Sequence, residues 1–347
     1  MRSAVAHQTH AGPLFVTSRA RPKAADQLGT GPANSPLSTA PVLRCEPMAI
    51  FMQGPIAEEY DFTAETLKIY AAAMPGCRLI LSTWRDTPAE HLDKITRLGV
   101  EVVLSDKPAN PGLANVNMQI TTAAAGIKRA VEKGATWVLK TRTDQRLYQP
   151  EVMGGLAALA KSLPPSGQAA ATQKHRIFGI GQGSLKFGLY HLSDQTIFGH
   201  ADDMLAYWTP PLKDENPPSH WPEDRGKIYL EVPIGDQCRY GAPECYLASR
   251  FLMHQGRQVD WTLADSWAAF RDHFGTVDYG STDFYWVKGQ SITLWENTTT
   301  YRKISNRKEM TFLDWMQIYA GHLRPEDANA YEAVLQENFQ PFVPELY

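Results

Sequence analysis

The chain has 347 residues, 43% of them hydrophobic and 20% charged, with 34 Lys and Arg against 37 Asp and Glu for a formal net charge of −3. That length supports a substantial core in one large or two modest domains, and the composition is that of a globular protein. The slightly negative total excludes the broad basic field that nucleic-acid binding needs, and no run approaches the roughly eighteen apolar residues that span a bilayer.

Residues 1–47 carry Pro13, Pro22, Pro32, Pro36 and Pro41 among Gly, Ser and Thr, with little periodicity. Such a segment buries too little apolar surface to offset its ordering entropy, so a disordered tail is expected. Met48, directly before the first apolar run, is a candidate translation start. The four cysteines, Cys45, Cys77, Cys238 and Cys245, form no Cys-x-x-Cys pair. So sparse a set is expected to stay reduced in a cytoplasmic setting, with a Cys238–Cys245 disulfide as the alternative.

From residue 48 the pattern becomes regular. MAIFMQ (48–53) is a short apolar run closed by Gly54-Pro55, which predicts a buried strand and a tight exit. Residues 61–74 place Phe62, Leu67, Ile69, Tyr70 and Ala73 at helical spacing, and Pro75-Gly76 ends them. RLILSTW (78–84) predicts a second strand with Ser82-Thr83-Trp84 at its exit. A helix over 88–98 follows, closed by Gly99. A third strand over 100–104 ends at Ser105-Asp106, and a longer helix spans 115–133.

The next stretch, ATWVLKTRTDQRLY (135–148), passes abruptly from Trp137-Val138-Leu139 into Lys140, Arg142, Asp144 and Arg146. Strand and helix thus alternate four times, which predicts a parallel sheet with right-handed crossovers. The polar exits Gln53-Gly54-Pro55, Ser82-Thr83-Trp84, Asp106 and 140–146 would then share the carboxyl edge, where open α/β sheets bind ligands. A polyanion meeting the cations at 140–146 is one reading; a solvated strand end with surface ion pairs is the other. If strand alternation continues, Lys140, Arg142, Asp144 and Arg146 share one face. No Gly-x-Gly-x-x-Gly follows the first strand and no P-loop motif occurs.

Beyond Pro150 a helix runs to Leu163. Residues 176–183 read as a strand with a turn, and KFGLYHLSD (186–194) as another strand. Asp202-Asp203 precede Met204, Leu205, Tyr207 and Trp208 and suit a helix N-terminus. Residues 210–226 are a long loop rich in Pro and charge. Pro243 and Glu244 suit the first turn of a helix over 245–254, with Glu244 either a first-turn carboxylate or a general base. The last third is aromatic, and its basic pairs Arg302-Lys303 and Arg307-Lys308 suit peripheral contact with an anionic membrane. Asn297-Thr298-Thr299 matches a glycosylation acceptor, read as chance without a secretory signal.

Taken together, IFMQGPI (50–56), LILSTW (79–84), VEVVLSDKP (100–108), NVNMQITTAAAGI (115–127), VLKTRTDQR (138–146), LSDQTIFGHADDM (192–204) and APECYL (242–247) resemble the WavE lipopolysaccharide synthesis family. LKTRTDQR is the most specific of these. The resemblance implies a GT-A-like (Rossmann-like) α/β domain: a mixed, mostly parallel sheet flanked by helices. The expected division is a tail at 1–47, a catalytic domain at 48–255 and an aromatic-rich α extension at 256–347. It implies a glycosyltransferase of bacterial surface polysaccharide, with a nucleotide-sugar donor and an oligosaccharide or lipid-linked glycan acceptor, at the inner face of the inner membrane. A sugar-phosphate transferase and a non-catalytic binding member of an assembly complex are the alternatives.

On that resemblance Gln53, Gly54, Pro55, Ser82, Thr83, Trp84 and Asp106 are expected under the base and ribose. Lys140, Arg142, Asp144 and Arg146 are expected around the diphosphate, and Glu244, then Asp203, as the base. GT-A enzymes usually hold a divalent cation with Asp-x-Asp at this strand end; here the triplet is Arg142-Thr143-Asp144. Asp144 is therefore the one expected ligand for Mg²⁺ or Mn²⁺, while the cations beside it offer metal-independent neutralisation.

Overall fold

The four short apolar runs become parallel strands, each closed by the small or polar residues that follow it. In the computed structural model these are β1 (Met48–Gln53), β2 (Cys77–Trp84), β3 (Glu101–Ser105) and β4 (Trp137–Arg142). Helices α1 (Phe62–Ala73), α2 (Ala89–Thr96) and α3 (Val116–Glu132) connect them. The structure describes residues 46–180, 183–215, 217–287 and 308–338. The expected tail up to Cys45, Gly181-Gln182, Trp295, Asn297-Thr298-Thr299, Tyr301, Arg302-Lys303 and Arg307 lie outside the described residues.

The chain continues through β5 (Gln145–Leu147), α4 (Val152–Ser162), α5 (Ala169–Thr172), β6 (Ile177–Ile180), β7 (Thr196–His200) and α6 (Ala201–Trp208). Then follow α7 (Arg225–Glu231), α8 (Ile234–Asp236), α9 (Pro243–His254), α10 (Leu263–Asp272), β8 (Phe274–Val277), β9 (Phe284–Trp286) and α11 (Phe312–Tyr319). Seven strands form one sheet in the order β3-β2-β1-β4-β7-β6-β8. Only β7 runs against the others in it. Strands β5 and β9 form a separate antiparallel pair. Residues beyond 255 thus supply β8, an edge strand of the main sheet, as well as helices.

Alternation along β4 sorts the two faces. Trp137 stacks on Phe198 toward α4, whose Lys161 lies over the indole. Lys140 points the other way, its Nζ 4.7 Å from the Trp208 ring of α6. On that second face α3 presses close to the sheet, because a Cβ on Gly126 would stand 2.5 Å from the Phe51 ring. On the first face α1 ties the sheet to the β5 segment, with Leu147 N donating to Tyr70 Oη at 2.9 Å.

One expected strand is absent. Residues 186–194 are turns and coil, joined to the rest of the backbone by an isolated bridge from Leu185 to Glu309. Phe187, Leu189, Tyr190 and Leu192 are all buried, so the segment has no solvent face to alternate with. Its backbone donors find side chains instead of a ladder: Leu189 N donates to Cys238 Sγ and Tyr190 N to Ser266 Oγ. Cys77, Cys238 and Cys245 are free thiols.

Candidate functional site

The carboxyl ends of β1, β2 and β4 and the start of α3 border a cleft of about 440 Å³. Its floor is set by the turn that ends β4. Thr143 N donates to Gln53 O at 3.2 Å, Thr143 Oγ1 to Pro55 O at 2.5 Å, and Thr63 Oγ1 to Thr143 O at 2.9 Å. These bonds lock the β4 turn to the β1 exit. Gly54 has φ +119°, which strains any other residue, and a Cβ there would crowd Thr143 Oγ1 at 3.2 Å. From α3, Thr122 Oγ1 donates to Gln53 Oε1 at 2.5 Å, and Met118 and Gln119 complete the wall.

Arg142 and Asp144 form a two-point pair across this turn, Nε to Oδ1 at 2.9 Å and Nη2 to Oδ2 at 3.0 Å. Trp286 of β9 donates Nε1 to Asp144 Oδ2 at 3.3 Å, and its ring centre lies 5.8 Å from the guanidinium. Burial opposes the Arg142 charge, yet Asp144 and the more distant Asp194 and Glu244 hold its pKa above the ordinary value.

Behind Arg142 lies a second layer of charge. Lys140 is fully buried and donates to the carbonyls of Asp194 and Gln195. Burial pushes its pKa down to about 7, against the pull of Asp194. Asp194 is itself 4% exposed, and its Oδ2 has no hydrogen-bond partner among the described residues. Glu244 stands in the first turn of α9 with 24% of its side chain exposed, 3.9 Å from His191 Nε2. Burial, and then the Asp194 charge, push its carboxyl up to about 8, while Lys140 and Arg142 pull it back. Two carboxylates and two cations therefore share one electrostatic neighbourhood.

The topology explains the gathering. Because β7 is antiparallel to β4, with Lys140 opposite Ile197, the residues before β7 arrive at the carboxyl edge of β4. Asp194 and His191 come with them. Neither stands out as a site residue in the sequence, since only the strand direction brings them there. Trp286 is likewise hidden among many aromatic residues.

Of the sequence-predicted residues, Gln53, Gly54, Pro55, Trp84, Arg142 and Asp144 line the cleft together. Ser82 and Thr83 are buried in the sheet and bond to Thr122 O and Thr87 Oγ1. Asp106 faces outward and pairs with Arg85 at 2.8 Å. Lys140 lies beneath the cleft rather than on its lining. Arg146 is on the other face, donating to Thr66 Oγ1 at 2.8 Å, Tyr148 Oη at 3.1 Å and Phe62 O at 3.2 Å. The expected alternation fails because the strand breaks at Thr143–Asp144 before β5 begins.

Asp203 sits at the opposite edge of the sheet, where Lys174 N and His175 N donate to it at 3.1 and 2.9 Å. It anchors a loop there, with burial raising its pKa to about 6. Both Asp144 oxygens face the Arg142 guanidinium, so a divalent cation bound there would share them with that side chain. Among the described residues no group of three His, Cys, Asp or Glu side chains is arranged to hold a metal ion.

A family model described as WavE lipopolysaccharide synthesis matches residues 48–339. Among solved structures, the chain is similar to a mannose-1-phosphate geranyltransferase from Thermus thermophilus at 12% identity and a TM-score of 0.30. That likeness covers 48% of this chain and 62% of the other, so the chain spans under two thirds of that protein's length. No curated protein matches the chain. Among the described residues no helix is long and apolar enough to cross a membrane.

Proposed function

This chain belongs to the WavE lipopolysaccharide synthesis family, and from that premise we propose that it is a glycosyltransferase of GT-A-like architecture. It moves a sugar from a nucleotide-sugar donor to an oligosaccharide or lipid-linked glycan in surface polysaccharide synthesis. A lipid-linked acceptor would place the work at the inner face of the inner membrane. One juxtaposition carries the reading: Glu244, a carboxyl poised near neutrality, shares the sheet edge with Arg142, a cation open to the cleft.

In this reading Glu244 takes the proton of an acceptor hydroxyl, and that oxygen attacks the anomeric carbon. The bond from that carbon to the diphosphate breaks, and its electron pair goes to the diphosphate oxygen beside Arg142. Asp144 and Trp286 hold the guanidinium in place, and the buried Lys140 adds positive field from behind. Because Asp144 is engaged by Arg142, the diphosphate is met by side-chain cations rather than by a metal.

The test is release of nucleoside diphosphate from a panel of UDP-, GDP- and ADP-sugars, with glycan acceptor, in EDTA and in Mn²⁺. The expected result is release from one donor at comparable rates in both. Arg142→Ala should weaken that donor's binding by about tenfold or more, the scale of one charge-assisted phosphate contact. Strict Mn²⁺ dependence would restore Asp144 as a ligand. Release of nucleoside monophosphate would instead mark sugar-phosphate transfer.

A further inference from the structure

Beside Glu244 lies a smaller cavity of about 110 Å³. Leu113, Ala114, Ile228 and Pro243 give it apolar walls, and Gln237, His191 and Glu244 supply its polar atoms. Ala114 also borders the larger cleft, so the two spaces abut. Ile228 is held from behind by Trp221 and Val232, a small cluster that leans on Leu113.

Two features of this cavity point to a ligand. His191 Nδ1 is buried and has no hydrogen-bond partner among the described residues. Its other nitrogen lies 3.9 Å from Glu244 Oε2, so both groups bound the same space. A hydroxyl entering here would stand between the His191 ring and the Glu244 carboxyl. The second feature is charge. Among the described residues Glu244 is the one acidic side chain on the lining, and neither Lys nor Arg lines the cavity. An anionic group placed here would oppose ionisation of Glu244, keeping the proton on the carboxyl that must accept one. The larger cleft, by contrast, carries Arg142.

We infer that this cavity is the acceptor subsite and that it takes a neutral sugar ring, presented by a hydroxyl, rather than a phosphorylated or uronic sugar. The inference rests on the glycosyl-transfer reading above. The C–H face of a pyranose would lie on Leu113, Ile228 and Pro243, and its hydroxyls would meet His191 and Glu244. The reacting hydroxyl gives its proton to Glu244 and forms the new glycosidic bond, while the diphosphate leaves with the electron pair of the broken one.

The test uses the full chain and whichever donor of the nucleotide-sugar panel is turned over. Methyl glucoside and methyl galactoside are compared with glucuronic acid and glucose 6-phosphate as stimulants of nucleotide release. The neutral glycosides should stimulate at least tenfold more than the anionic sugars. Ile228→Trp, which fills the cavity, should raise the acceptor KM at least tenfold with donor affinity changed less than twofold. Leu113→Phe is the second variant should the first not fold, judged by circular dichroism. Saturation-transfer NMR of methyl glucoside should lose its signal in the same variants. Equal or better stimulation by the anionic sugars overturns the inference. So does an unchanged acceptor KM in folded variants, or donor breakdown that no sugar stimulates. Absence of breakdown with every donor refutes the transfer reading itself.

Discussion

Glu244 and Lys140 hold opposite charges that burial disfavours, and Asp194, Arg142 and His191 face them from the neighbouring elements. Glu244 is raised from 4.5 to about 8. The folded state therefore keeps a proton that the unfolded chain loses, and the resulting stability is full below pH 4.5 and lost as pH rises through about 8. Lys140 works in the opposite sense: lowered from 10.5 to about 7, its burial penalty is relieved as pH rises through that window. Glu244→Gln removes only the first effect. It should melt higher than the wild type at pH 9, by about 2–4 °C, and match it near pH 4, as read by calorimetry. Turnover by the wild type should rise above pH 6 as the carboxyl loses its proton, with the gain opposed above about pH 7 as Lys140 loses its charge.

Arg142 and Arg146 make the complementary pair of tests. Arg146 is 1% exposed with three side-chain hydrogen bonds. Arg146→Ala should cost about 3 kcal/mol of stability, the scale of losing several buried hydrogen bonds and the packing of the stem, measured by denaturant unfolding. Donor affinity of the folded fraction should not change. In the sequence the two arginines look alike, four residues apart in one motif. What separates them is the turn at Thr143–Asp144, which no strand periodicity reveals. Asp194 is invisible as a site residue for a related reason: it precedes a strand, and only an antiparallel strand puts that position at this edge.

At the scale of elements, α3 governs the cleft, because it supplies one wall and packs flat on the strands that supply the other. Gly126 permits this approach to Phe51. Gly126→Ala should lower stability by about 1–3 kcal/mol through overpacking, seen as a lower denaturation midpoint at unchanged slope. The alternation of β1 through β4 with helices is legible from apolar run length and from the small or polar residues that close each run. The coil at 186–194 is not. Its apolar residues suggest a strand, but its backbone bonds go to Cys238 and Ser266, remote in sequence.

At the scale of the molecule, the pairing of the first four strands is regular enough that the sequence alone gathers their polar exits at one carboxyl edge. The rest of the sheet is not so regular. β6 and β8 are four residues each, too short for periodicity, and β8 returns from beyond residue 255 to the far edge. That return joins the aromatic C-terminal part to the same sheet, while β9 carries Trp286 back to Asp144. The site is thus assembled from widely separated stretches, and the LKTRTDQR motif supplies only its centre.

The role of Glu244 as the base is tested most directly by the kinetics of Glu244→Gln with the donor that the wild type turns over. The expected result is a donor dissociation constant within about twofold of wild type and a fall in kcat of at least about a hundredfold, on the scale of losing a general base. Near-wild-type kcat in that variant would contradict it and move the proton acceptor elsewhere.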